Sequence, residues 1–292
     1  MHMKSFKIAV CLSGQARHWK VASENIKNFF NYDTHHFHFN VPIETDYFIH
    51  TWDTNTWRYP KTFHNIFENV RHNDIEEIKN IYNPKYIEQE EFDEKKFILA
   101  WDPMFYSFWK SLMFKRDYEI ENNFTYDVVI KARLDVIYNL QQKIKLHDIK
   151  PSLNGLTPGI CYSSQPITKF SYEFNYNNFD DVIFYGDSRT MDIVSDLYHT
   201  YKIKHSQQKR YDVAKSLNTD ASLYYGPGCL LYDHMVNCGI HPTCNEIFEY
   251  VVVRSTAVEQ NLHSINDYQL IKMRGTEWYA PVGEEIKKNR LI

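Results

Sequence analysis

Nowhere in the chain do apolar residues approach the run of roughly 18 that a membrane-spanning helix requires. The apolar stretch at residues 8–12 is also too short for a signal-peptide core, so the expectation is a soluble, cytoplasmic protein without a membrane span. No basic block is present either: lysines and arginines are scattered and the formal net charge is −4. The electrostatic footprint that a nucleic-acid backbone demands is therefore missing. Cysteines are few and odd in number, five at positions 11, 161, 229, 238 and 244, with no CxxC pair. That usage fits reduced thiols better than a disulfide framework. Cys229, His234, Cys238, His241 and Cys244 crowd together, but their spacings match no common structural zinc pattern, and residues 230–239 read as an amphipathic helix stopped by Gly239. Internal repeats and Ser/Gly linkers are absent as well. The glycine turn near the N-terminus lacks the lysine and repeated glycines of a phosphate-cradling loop, which counts against a kinase or sulfotransferase built on one.

What the chain does contain is apolar mass arranged in units. Its 292 residues are 43% apolar, enough to bury a substantial core. Aromatics reach 16%, and ordinary core packing accounts for them more readily than sugar-stacking surfaces do. Short apolar runs alternate with helical spacings. Residues 7–14 predict a strand and residues 19–30 a helix. Residues 46–53 predict a second strand, residues 74–82 a short helix that stops before Pro84, and residues 105–122 a longer helix. Residues 181–186 predict another strand, and Asp187 with Ser188 supplies the acceptors that start a helix from about residue 191 to residue 201. A cysteine-bearing helix and a strand at 248–254 follow. The segment at 205–215 reads as a loop, and the polar tail from residue 261 as a lid. Alternation of this kind argues for a mixed, mostly parallel central sheet covered by helices, an α/β fold.

Two stretches carry the candidate chemistry. Tyr126-Asp-Val-Val-Ile-Lys-Ala-Arg-Leu-Asp135-Val-Ile-Tyr138 is dense in β-branched residues and reads as a buried strand that delivers Arg133 and Asp135 at its carboxyl end. In open α/β sheets ligands bind outside those ends. Spaced two apart on a strand, the two side chains would share a face. Lys7-Ile-Ala-Val-Cys-Leu-Ser-Gly14-Gln-Ala-Arg17 is a strand that breaks into a small-residue turn before a helix, an arrangement that lets backbone N–H groups approach an anion.

Ile8 to Arg17, then Asp46-Tyr-Phe-Ile-His-Thr-Trp-Asp53, then Tyr106-Ser-Phe-Trp-Lys110, then Tyr126 to Asp135, follow one another in an order that resembles small nucleotide-sugar glycosyltransferases of the GT-A type, of the bacterial, large-virus and phage kind. The resemblance implies one Rossmann-like GT-A domain over residues 1–292, with about 1–140 holding the nucleotide sugar and about 141–292 forming the acceptor half and tail. It implies transfer of a sugar from a nucleoside-diphosphate donor to the hydroxyl of a glycan or other acceptor. It also implies assistance from Mn²⁺ or Mg²⁺ held by an Asp-x-Asp element. Here that element reads Arg133-Leu134-Asp135, so either the one carboxylate, Asp135, would hold the metal with Arg133 assisting, or Arg133 would itself neutralise the diphosphate. Ser13, Gly14, Gln15, Thr51 and Trp52 would border base and ribose, Arg17 and Lys110 would assist at the phosphates, and His263 would add a metal ligand. Asp181, Asp187 and Asp220 are the acids available as general base, with Asp187 equally suited to helix capping. His50 reads as a hydrogen-bonded core histidine. A nucleotide-sugar or carbohydrate-binding protein that has lost catalysis is the alternative.

Overall fold

Each strand of a parallel sheet has helices over both faces and so must be apolar on both. Ile8, Ala9, Val10, Cys11 and Leu12 meet that demand, all being fully buried. The computed structural model describes residues 5–17, 19–32, 42–55, 68–69, 72–97, 101–138, 140, 156–164, 167–169, 177–203, 227–244 and 250–252. In chain order their elements are β1 (Phe6–Gly14), α1 (Trp19–Phe29), β2 (Ile43–Trp52), β3 (Thr54–Asn55), β4 (Glu68–Asn69), α2 (His72–Tyr82), β5 (Tyr86–Glu90) and α3 (Asp102–Asn122). There follow β6 (Val128–Ala132), β7 (Val136–Tyr138), β8 (Ile160–Ser163), β9 (Thr168–Lys169), β10 (Asn177–Asn178), β11 (Phe184–Gly186), α4 (Ser188–Ser195), α5 (Leu197–Ile203), α6 (Pro227–Asn237), β12 (His241–Cys244) and β13 (Tyr250–Val252).

Seven strands form the central sheet in the order β12-β8-β11-β6-β1-β2-β5. β1 pairs in parallel with β2 and β6, β2 with β5, and β8 with β12, whereas β11 runs antiparallel to both of its neighbours. The fold is therefore α/β with a mixed, mostly parallel sheet. Its parallel part carries the first four long strands in the Rossmann-like order third, second, first, fourth.

The strand pleat sends alternate residues to two helical layers. On one face Ile8, Val10, Leu12, Ile49, Val128 and Ile130 pack against α1 and α2. Trp19, Ala22, Ile26 and Phe29 of α1 recur at helical spacing and are buried there. On the other face Ala9, Cys11, Phe48 and Val129 meet Phe105, Phe108 and Leu112 of α3, Met191 and Val194 of α4, and Leu230 and Leu231 of α6. α3 begins at Asp102, earlier than the spacing suggests, with Pro103 in its first turn. It ends where Asn123 turns left-handed at φ 51° and donates its N–H to the Glu119 and Ile120 carbonyls.

Within this second layer Lys115 is fully buried between Glu119, at 2.9 Å, and Asp192, at 2.8 Å, and donates to Ser188 Oγ at 2.5 Å. Glu119 in turn accepts from the Tyr126 N–H at 2.8 Å and from Ser188 Oγ at 2.9 Å. The network fixes α3 to the start of α4 and to the approach to β6.

Several predicted elements shift. The strand expected across residues 126–138 stops at Ala132, turns at residues 134–135 and resumes as β7, which leaves the main sheet to pair antiparallel with β13. The shared-face argument for Arg133 and Asp135 therefore gives way to turn geometry. The strand expected from residue 181 begins at Phe184, and the helix expected over 191–201 divides into α4 and α5 around Asp196. The predicted loop at 205–215 and the tail lie outside the described residues.

Candidate functional site

Reversal of strand order between β1 and β6 creates a switch point, and in open α/β sheets the crevice outside the carboxyl ends there is where ligands bind. Leu12 pairs with Ala132 across that boundary, so Ser13 and Gly14 leave β1 beside residues 133–135 leaving β6. Gly14 has φ +108°, and a Cβ built on it would touch nothing, so the backbone angle rather than crowding calls for glycine. Ser13 is buried and Gln15 half-buried on the turn.

Asp135 sits in this crevice, 1% exposed. The Arg133 fork donates from Nε to Oδ1 and from Nη2 to Oδ2, each at 2.7 Å. Arg17, from the turn after β1, places Nη2 3.3 Å from the same Oδ2. The arginine side chains keep 11% and 14% of their surface. Two guanidinium groups from the ends of adjacent strands thus converge on one carboxylate. The Mn²⁺ or Mg²⁺ expectation does not fit this donor set, because both oxygens of Asp135 are taken by cations. Among the described residues no three His, Cys, Asp or Glu side chains gather as metal ligands. His263, the expected second ligand, lies outside the described residues, as does Asp220.

Behind Gly14 a second polar group fills the space between β2, β5 and α3. The Gly14 N–H donates to Ser107 Oγ at 2.6 Å, and Ser107 Oγ lies 2.8 Å from His50 Nδ1. His50 Nε2 stands 3.4 Å from Glu90 Oε1. Glu90 also accepts from Tyr106 OH at 2.8 and 2.9 Å and pairs with Lys110 at 2.9 Å, and Lys110 reaches Glu88 at 3.3 Å. Burial pushes His50 below its ordinary pKa against the pull of Glu90, so the imidazole is neutral near pH 7. Ser107 Oγ also donates to the His50 carbonyl at 3.1 Å, so the hydroxyl is tied to His50 through both its ring and its backbone. His50, whose Nε2 lies 3.4 Å away, and then the donors Lys110 and Tyr106 hold the Glu90 carboxyl down at about 2.

Lys110 is accordingly an ion-paired residue of this cluster. Trp52 is 2% exposed, stacked on Tyr106 and flanked by the edges of His50, Phe92 and Phe97, so it supports the site as core. Thr51, level with Gly14 in the sheet, is fully buried, and its Oγ1 has no partner among the described residues. His50 is a hydrogen-bonded core histidine, as its sequence context suggests, and it touches the residue that holds the glycine turn.

The acids beyond β6 separate by strand direction. Because β11 is antiparallel, Phe184 pairs with Lys131 while Gly186 pairs with Val129. Asp187, following Gly186, therefore emerges at the opposite edge of the sheet from Asp135. There it caps α4, accepting from the Thr190 N–H at 3.1 Å and from the Thr190 hydroxyl. The same reversal brings Asp180 and Asp181 to the carboxyl end of β6. Lys131 donates its Nζ to the carbonyls of Asp181 and Val182, and burial lowers its pKa to about 8. Asp180 accepts from the Val182 N–H at 2.9 Å, from Tyr250 OH at 2.9 Å and from Ser164 Oγ. Burial still raises its pKa to about 6. Sequence reading passed over Asp180, although the Asp180-Asp181 pair just before an apolar run was a visible signal. For Ser107 and Glu90, which lie on different elements, no local signal exists.

No family model matches the chain and no curated protein matches it. Among solved structures it is similar to a glycosyltransferase involved in the glycosylation of the major capsid of PBCV-1, at 8% identity and a TM-score of 0.37, over 83% of this chain and 82% of that one. The fold is defined by the strand order and register above. Among the described residues no helix is long and apolar enough to cross a membrane.

Proposed function

We propose that this protein is a GT-A type glycosyltransferase that moves a sugar from a nucleoside-diphosphate donor to the hydroxyl of a glycan or other acceptor. The observation that carries the reading is the convergence of Arg17 and Arg133 at the switch point beside the Gly14 turn. Guanidinium forks match phosphate oxygens in the way they match a carboxylate. In the reaction the bond from the sugar's anomeric carbon to the diphosphate oxygen breaks, negative charge collects on the leaving diphosphate, and the acceptor oxygen bonds to the anomeric carbon. Fixed cations aimed at the leaving group lower that barrier without reorganising. The acceptor's proton leaves to a general base near the acceptor hydroxyl as the new bond forms.

Ser107 and His50 act at one remove, holding the Gly14 N–H and with it the turn on which the donor rests. The reading is tested by incubating the protein with UDP, GDP, CDP and ADP sugars and measuring release of the nucleoside diphosphate. The expected result is release from one nucleotide class, abolished in Arg17→Ala. The second reading, a nucleotide-sugar binding protein without turnover, is favoured by the clamp that Asp135 places on both arginines. It would show saturable binding with no release.

A further inference from the structure

We infer that the crevice takes the diphosphate without a divalent metal, with Asp135 serving as an internal placeholder for phosphate. The inference rests on the reading of this crevice as a nucleoside-diphosphate site and assigns its electrostatics. Three observations carry it. Asp135 is buried and receives a bidentate fork from Arg133 with a third contact from Arg17, the pattern that a phosphate group offered to two guanidiniums would reproduce. The arginines come from different strands, and each keeps a little exposed surface while the carboxylate keeps almost none. The groups to be exchanged therefore open outward, and their counter-ion lies behind them.

Third, the cations already in place disfavour a dication. Arg17, Arg133 and Lys131 bring positive charge to this edge against the carboxylates of Asp135, Asp180 and Asp181, and the two guanidiniums lie directly on Asp135. A metal on Asp135 would displace one guanidinium and then face both. A diphosphate instead meets the two guanidiniums that keep exposed surface.

The test is calorimetric titration of the full chain with UDP, GDP, CDP and ADP, each in EDTA and in Mn²⁺, with inorganic pyrophosphate as a second probe. The expected result is binding of at least one nucleotide in EDTA, within about twofold of its affinity in Mn²⁺. Arg17→Ala and Arg133→Ala should each weaken it by roughly ten- to a hundredfold, since a hydrogen bond to a charged group carries that factor. Affinity in Arg17→Lys should lie between the wild type and Arg17→Ala, because a lysine keeps the charge and loses the fork. If Arg133→Ala does not fold, the Arg17 variants and pyrophosphate competition decide the matter. Binding that requires Mn²⁺ overturns the inference and leaves the nucleotide reading standing. Absence of binding in both media removes the nucleotide reading together with the inference.

Discussion

Replacing Asp135 by Asn keeps the shape of the side chain and removes the charge that two arginines share. In the folded protein the carboxylate is 1% exposed and the arginine side chains 11% and 14%, so water compensates the guanidiniums only in part. Removing one partner of a buried ion pair costs about 3–5 kcal/mol, and the residual arginine exposure places this case near the lower end, about 3 kcal/mol. At about 2 °C per kcal/mol for a chain of this size, the melting temperature should fall by about 6 °C. The same change should strengthen the response to phosphate, because the freed arginines lose their internal anion. Differential scanning fluorimetry of wild type and Asp135→Asn, with and without pyrophosphate, measures both effects. A lower starting melting temperature with a larger upward shift in the variant is the expected outcome. A variant that melts with the wild type, or that loses its response to pyrophosphate, refutes the placeholder role.

Lys115→Met removes the buried cation between Glu119 and Asp192, leaving Asp192 with Arg116 and Glu119 with its hydrogen bonds, and chemical denaturation should register a loss of about 3 kcal/mol. A loss below about 1 kcal/mol would mean that water reaches those carboxylates. Gly14→Ala forces a side chain into φ +108° where space is open, so it should cost about 1–3 kcal/mol of backbone strain, readable as a lower urea midpoint. Asp180 has its folded pKa raised from 3.8 to about 6, so the native state binds the extra proton between those values and stability falls as pH rises through that window, by on the order of 3 kcal/mol. Asp180→Asn lacks that fall, and its stability relative to wild type, followed by urea unfolding from pH 4 to 7, should therefore increase with pH. A constant difference would show that Asp180 titrates normally.

Much of the parallel half of the fold is legible locally. Residues 8–12 and 128–130 are apolar on both pleats, which only a sheet covered on both faces rewards, and Trp19, Ala22, Ile26 and Phe29 mark the inner stripe of α1 in advance. The break after Ala132 was not legible, because Val136-Ile-Tyr138 is as β-prone as the residues before it. What diverts it is pairing with Tyr250–Val252, more than a hundred residues away. Strand direction decided the acids. Asp187 carries an evident capping signal, but nothing near it says that β11 runs against β6, and that single reversal moves Asp187 to the far edge and brings Asp180 to the site. The Gly14–Ser107–His50–Glu90 chain joins β1, α3, β2 and β5 and exists only after the sheet has assembled.

The central claim is that a nucleoside-diphosphate donor lies across the carboxyl ends of β1 and β6. Hydrogen–deuterium exchange locates it most directly, with the protein saturated by whichever nucleotide sugar it turns over. The account predicts slowed exchange at residues 12–17 and 133–135, with a smaller effect at residues 50–52. Protection confined to the opposite edge of the sheet, around Asp187 and the first turn of α4, or a map unchanged by the ligand, would contradict it.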